Sequence, residues 1–247
     1  MLSYTIKSFY CVKAGNSPDE NEDALLVPSS SFEEKIRIAV ADGATESSFS
    51  LEWADLLVSY YKDFPNFETD FWTLFPDIKS SWLSRINHSN LEWYAQQKLE
   101  MGAFASFLGA DIDLLTEIVK IIAIGDSNFF AFRDCKLIKA FPIEDSNAFG
   151  NTPILVSSEL KKNRIDDQFF KKVTFDMVTG DILVIATDAI SQWLLKETEN
   201  GNYPVNAVLG LPDTKIDPWP FQNWLDEIRK HHLIKNDDTT LVLIQIA

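Results

Sequence analysis

At 247 residues the chain is long enough for one large domain with a sizeable core, expected to span residues 1–247. A formal net charge of −15 repels a phosphate backbone, whose affinity for proteins comes largely from Lys and Arg, so nucleic acid is not expected as a partner. With 46% hydrophobic residues, 18 Phe and 7 Trp the composition is that of a globule, and two cysteines, Cys11 and Cys135, supply neither a disulfide framework nor a CxxC zinc site.

Residues 4–12 read as a first strand, followed by the turn formers Gly15-Asn16-Ser17-Pro18-Asp19-Glu20. Asn21-Glu22-Asp23 leads into a second strand, Ala24-Leu25-Leu26-Val27, and residues 36–41 form a third, so the first 45 residues are expected as a β-meander. The spacing of Phe49, Trp53, Leu56, Leu57, Tyr60, Tyr61 and Phe64 predicts a helix over 49–64, ended by Pro65. A second helical region is expected over 78–99, with Trp82, Ile86, Trp93 and Tyr94 on one side as core.

Residues 102–112 read as a strand, and further strands are expected at 116–124, 128–133 and 136–140, the last two joined by a hairpin turn at Arg133-Asp134-Cys135-Lys136. The segment 142–166, rich in Pro, Asn, Ser and Asp, reads as an irregular surface excursion. Strands at 169–175 and 181–187, helices at 190–197 and 218–234 and a last strand at 240–246 complete the chain. Meanders interrupted by a helical pair and finished by helix and strand imply an α+β fold. Two antiparallel sheets are expected to pack as a sandwich with helices outside. The N-terminus lacks the apolar stretch of a signal peptide and no window approaches a membrane span, so a cytoplasmic monomer with no membrane partner is expected.

One feature repeats along these elements. The run Ile36-Arg37-Ile38-Ala39-Val40-Ala41 ends in Asp42-Gly43, Asp126 follows the apolar run 119–125, and Asp188 follows 182–187. Asp237 and Asp238 immediately precede the last strand. Asp42 alone would be a strand-ending residue that helps start the next helix. Four apolar strands with a carboxylate at one end imply a shared acidic focus. Two carboxylates about 5 Å apart repel by roughly 3 kcal/mol at an effective dielectric near 20, so gathering them needs cations or raised pKa values. Oxygen-only ligands suit Mg²⁺ or Mn²⁺, and the three histidines, His88, His231 and His232, lie in polar helical settings and are not expected as ligands or catalytic groups.

Asn21-Glu22-Asp23, Ala41-Asp42-Gly43-Ala44, Gly125-Asp126-Ser127, Ala186-Thr187-Asp188 and Asp237-Asp238-Thr239-Thr240, in this order, resemble the successive motifs of the metal-dependent protein phosphatases, the type 2C serine/threonine phosphatases, in a divergent bacterial branch. The resemblance spans residues 4–246. It implies a β-sandwich flanked by helices and a binuclear Mg²⁺ or Mn²⁺ centre whose activated water attacks the phosphorus of a phosphoprotein or phosphopeptide. By motif, Asp42 would bridge the two ions, the Gly43 carbonyl would bind one, and Asp188 and Asp237 would hold the other. Glu22 and Asp23 would act through bound waters, and Asp126 resembles a ligand of a weaker third ion.

The sequence also departs from the family. Pro18 stands where an arginine often grips the substrate phosphate, leaving Lys13 as the nearest upstream cation, a point charge rather than a bidentate fork. Ala44-Thr45-Glu46 follows the Asp-Gly pair where many members carry glycine and histidine, Ala189 replaces a glycine, and Gln192 stands where an aspartate helps hold the third ion. These departures favour, as the alternative to a protein phosphatase, a catalytically silent module that binds a phosphoprotein or partner. Asp111-Ile112-Asp113 has the spacing of an aspartyl phosphotransferase, but reads as the flank of a surface hairpin turn.

Overall fold

The computed structural model describes residues 2–28, 34–86, 96, 99–150, 152–166 and 169–247; His88, Trp93 and Tyr94 lie outside the described residues. In chain order the strands are β1 (Tyr4–Cys11), β2 (Asp23–Leu26), β3 (Lys35–Asp42), β4 (Phe104–Ala105), β5 (Phe107–Asp113), β6 (Ile118–Ile124), β7 (Asn128–Arg133), β8 (Lys136–Phe141), β9 (Val156–Ser157), β10 (Lys171–Asp176), β11 (Ile182–Ala186) and β12 (Thr239–Ile246). The helices are α1 (Ser50–Asp63), α2 (Phe67–Arg85), α3 (Asp188–Glu199), α4 (Val205–Leu209) and α5 (Trp219–Lys230).

Two five-stranded sheets, ordered β1-β12-β11-β7-β8 and β10-β6-β5-β3-β2, form the sandwich, and β4 pairs with β9 beside them. The pairings within both sheets are antiparallel. Three buried clusters fill the interfaces of this α-β-β-α stack. One lies between the sheets and includes Ile36, Ile38, Val40, Leu183, Ile185, Val242 and Ile244. The second packs α1 and α2 on one sheet, through Trp53, Leu57, Phe71 and Trp82. The third packs α3 to α5 on the other, through Ile190, Leu194, Phe221 and Leu225. Because each sheet is covered on both faces, β11 is apolar throughout and β3 is continuously apolar from Ile38 to Ala41 instead of alternating.

The expected N-terminal meander does not form. β1 pairs along its length with β12, Tyr4 opposite Ile246 and Cys11 opposite Thr239, while β2 pairs with β3 in the other sheet. A meander needs only a short turn, whereas residues 12–22 are long enough to cross the roughly 10 Å between packed sheets. The strand expected over 102–112 is interrupted at Ser106, whose N–H donates to the Asp42 carbonyl at 2.8 Å.

The second helix begins at Phe67, eleven residues before the expected start, and runs through Pro76. Phe67, Phe71, Phe75, Ile78 and Trp82 recur every three or four residues and are buried. Proline ordinarily ends a helix. Here packing outweighs it: Phe71 meets Phe169 and Phe170 with ring centroids 5.7 and 5.3 Å apart. The helix expected over 218–234 stops at Lys230, capped by His231. The 133–136 turn forms with Asp134 and Cys135 both at positive φ, 50° and 61°, as a tight hairpin requires.

Tyr61 of α1 lies directly on Gly109 of β5: a Cβ there would meet the ring at 2.6 Å. The Arg37 guanidinium stacks on the same ring, 3.8 Å from its centroid. Gly109→Ala should therefore cost about 1–3 kcal/mol of stability, the range for overpacking a core, read as a lowered urea midpoint with an unchanged slope.

Candidate functional site

Strand periodicity aims Asp42 inward. Residues 36, 38 and 40 face the other sheet, and Asp42, two residues on, continues that face at the strand's end. Across the ladder Asp23 is its direct partner, so two carboxylates stand opposite each other on one face, an arrangement that is unfavourable without compensation. From the facing sheet, the Thr187 hydroxyl reaches Asp23 Oδ2 at 3.2 Å and accepts the Thr240 N–H at 3.0 Å. Asp188 follows at the first turn of α3, and Asp237 comes two residues before β12.

The ends of both sheets thus open into one cleft of about 710 Å³, lined by Asp42, Gly43, Asp126, Asp188, Asp237 and Lys235 among others. Gly150, Thr152, Pro153 and Leu155 of the irregular excursion form part of its wall. Glu22 and Lys13 face a neighbouring groove of about 380 Å³, and Thr45 lines both. Asp23 is buried beneath, 8% exposed. The structure therefore brings Asp42, Gly43, Asp126, Asp188 and Asp237 to one surface, and places Glu22, Asp23 and Lys13 behind or beside it.

Asp23, Asp42, Asp126 and Asp188 are all raised above the ordinary carboxyl range. Burial pushes the Asp42 carboxyl well above the usual range, and the charges of Asp23, Asp188, Asp126 and Asp237 push it further. Burial also raises Asp23, with Asp238 and Asp188 adding to the shift. Asp126 rises to about 7, through burial first and the charge of Asp188 second. Asp188 is raised by burial, and the Lys235 ammonium opposes that rise.

The neighbours Asp237 and Asp238 have different work. Asp238 accepts the Lys13 and Glu22 backbone N–H groups, each at 2.8 Å, and so ties the segment after β1 to the start of β12. Glu22 is held on both oxygens, by Ser50 Oγ at 2.6 Å and Lys13 Nζ at 3.3 Å. Lys13 also donates to Thr45 Oγ1 at 3.3 Å. Gly43 fits only because it has no side chain: a Cβ would stand 2.8 Å from the Glu22 carbonyl oxygen and from Ser50 Cβ. Arg229 of α5, buried, donates to the carbonyls of Val12 at 3.1 Å and Asp237 at 2.6 Å. Gln192 donates to the Ser146 carbonyl at 3.2 Å, tying α3 to the excursion. Arg229, Ser50 and Lys235 stand outside the motifs, and Asp238, within one, is given no role by the motif reading; Lys235, two residues from Asp237, is visible beside a motif.

The donor set is all oxygen, as a hard divalent ion requires, and Asp23 Oδ1 is buried with no hydrogen-bond partner. Both features, with the mutually raised carboxyls, fit a site that a cation completes. Among the described residues, no group of three His, Cys, Asp or Glu side chains is arranged to hold a metal ion as it stands. Lys235 instead spans two of the carboxylates, with Nζ 3.2 Å from Asp188 Oδ2 and 2.6 Å from Asp237 Oδ2. The lysine must move, or its carboxylates turn, for a metal to share those oxygens.

No protein-family model matches the sequence, and no curated protein matches it. The architecture is nevertheless similar to that of solved phosphatases. The photosystem II phosphatase PBCP aligns with a TM-score of 0.60 at 16% identity over 98% of each chain. The Mycobacterium tuberculosis serine/threonine phosphatase PstP/Ppp aligns at 0.60 with 14% identity, again over 98% of each. The catalytic domain of PstP in complex with two manganese ions aligns at 0.54 with 15% identity and 100% of both chains covered. The fold is that of the type 2C serine/threonine phosphatases. Among the described residues no helix is long and apolar enough to cross a membrane.

Three expectations follow from the charges and their partners. Carboxyls raised by folding make the folded chain bind more protons than the unfolded one, so their penalty is absent below about pH 4 and grows as pH rises towards the Asp126 value of about 7. Thermal unfolding in EDTA should show stability falling through that window. Asp42→Asn should raise stability there, by about 1–2 kcal/mol at neutral pH, and flatten the slope. Asp238→Ala should do the reverse, losing about 2–3 kcal/mol at neutral pH because two backbone donors lose their acceptor.

Proposed function

We propose that the chain is a metal-dependent phosphomonoester hydrolase acting on phosphoserine or phosphothreonine in proteins. The observation that carries this reading is the gathering of Asp42, Asp126, Asp188 and Asp237, from both sheets, on one cleft of the type 2C phosphatase fold. Two Mn²⁺ or Mg²⁺ ions, when bound, would supply Lewis acidity towards a water and the phosphoryl oxygens. Asp42 would bridge them, with the Gly43 carbonyl on one side and Asp188 and Asp237 on the other; Asp126 would serve a weaker third.

The chain's own residues supply the rest. Asp42 and Asp23 provide negative charge that is unfavourable by itself, which makes the site selective for cations of high charge. Asp238 and Arg229 hold the backbone at Asp237 and the residue after it, so the Asp237 carboxylate is presented from a braced segment. The excursion residues Thr152, Pro153 and Leu155 and the Thr45 to Ser48 turn wall the cleft and would meet the peptide on either side of a bound phosphate. Lys13, on the shared rim at Thr45, is the cation we assign to the phosphate.

A second reading, a phosphoprotein-binding module without turnover, draws on Lys235 lying across Asp188 and Asp237 and on Gln192 serving a structural hydrogen bond. One experiment separates the two. Purified protein with saturating Mn²⁺ should hydrolyse p-nitrophenyl phosphate and a phosphothreonine peptide, and Asp42→Asn should lower kcat by at least about a hundredfold. Background turnover alongside intact phosphopeptide binding by calorimetry would select the silent module.

A further inference from the structure

Among the described residues lining the carboxylate cleft, Lys235 is the one cation. Its placement is built by the loop that carries it. Next to it, Asn236 holds both main-chain groups of Ala14, accepting the N–H at 2.8 Å and donating to the carbonyl at 3.2 Å. Two and three residues on, the Asp237 carbonyl is clamped by Arg229 and the Asp238 carboxylate by Lys13 N and Glu22 N. With its backbone pinned on the C-terminal side, Lys235 directs its ammonium between Asp188 Oδ2 and Asp237 Oδ2, at 3.2 and 2.6 Å. Its side chain keeps 54% exposure, while those of Asp188 and Asp237 keep 18% and 25%. The lysine is the more exposed partner and, on a flexible four-carbon stem, is the side chain with a path out towards solvent.

An ammonium and a divalent ion need the same thing from these oxygens. A Mn²⁺ or Mg²⁺ ion bonds a carboxylate oxygen at about 2.1 Å, too close for an ammonium to keep its hydrogen bond to that oxygen, and the two positive charges repel. We propose that Lys235 is a built-in counter-cation that competes with a divalent metal ion for Asp188 and Asp237, so that loading of that half of the site requires the lysine to swing out. The proposal rests on the metal-centre reading above. It makes the ion held by Asp188 and Asp237 the weaker of the pair, and makes loading depend on metal concentration.

The test is Mn²⁺ titration of the full chain, followed by calorimetry and by the EPR signal of free Mn²⁺, for wild type, Lys235→Met, Lys235→Arg and Asp42→Asn, with thermal unfolding in EDTA and in saturating Mn²⁺. Methionine keeps most of the stem and removes the charge. Lys235→Met should bind one ion about tenfold more tightly than wild type. Lys235→Arg should retain the weak binding. In EDTA Lys235→Met should melt below wild type, since two partly buried carboxylates lose their partner, and the gap should close or reverse in saturating Mn²⁺. Unchanged or weaker Mn²⁺ binding by Lys235→Met, with binding lost in Asp42→Asn, overturns the competition and leaves the metal centre standing. Wild-type binding by Asp42→Asn overturns the metal centre and this proposal together.

Discussion

Mutual repulsion among buried and half-buried carboxylates is the constraint around which this molecule is built. Asp23 and Asp42 face each other across one ladder, Asp188 and Asp237 approach from the other sheet, and Asp126 closes the ring of charge along the cleft. Nothing local favours that arrangement. It persists because three packed interfaces fix the strand ends from which the charges project. Unfavourable contacts of this kind, kept at one spot and compensated elsewhere, mark the cleft as the candidate functional site.

The compensation is specific. Thr187 links the two sheets through Asp23, Asp238 joins the segment after β1 to β12 through two backbone N–H groups, and Arg229 clamps the carbonyls of Val12 and Asp237. Each of these holds backbone or a neighbouring side chain; none adds charge to the cleft. Adjacent residues can therefore have opposite effects on stability. Asp238 is satisfied by fixed donors, whereas Asp42 is surrounded by like charge.

The departures from the phosphatase pattern acquire physical content in the structure. Gln192 is engaged with the excursion through the Ser146 carbonyl, so that side chain braces the cleft wall where an aspartate would add charge. The excursion lines the cleft through Gly150, Thr152, Pro153 and Leu155, which gives a segment with little regular structure a defined position beside the carboxylates. Lys235 brings a positive charge into a set of residues otherwise dominated by acids.

By itself the sequence determined the local elements and the chemistry at their ends. Apolar runs closed by Asp42, Asp126, Asp188 and Asp237 read as strands with terminal carboxylates because strand character and termination are set by neighbouring residues. An all-oxygen donor set followed from the same residue types. Only the tertiary structure decided which strands pair: β1 left the expected meander for β12, a partner more than two hundred residues away, and α2 ran through Pro76 because aromatic packing outweighed a local breaker. It alone revealed Arg229 and Lys235 as parts of the site, and the clamping role of Asp238, since these depend on groups brought near by non-local pairing, which leaves no periodic trace in the chain.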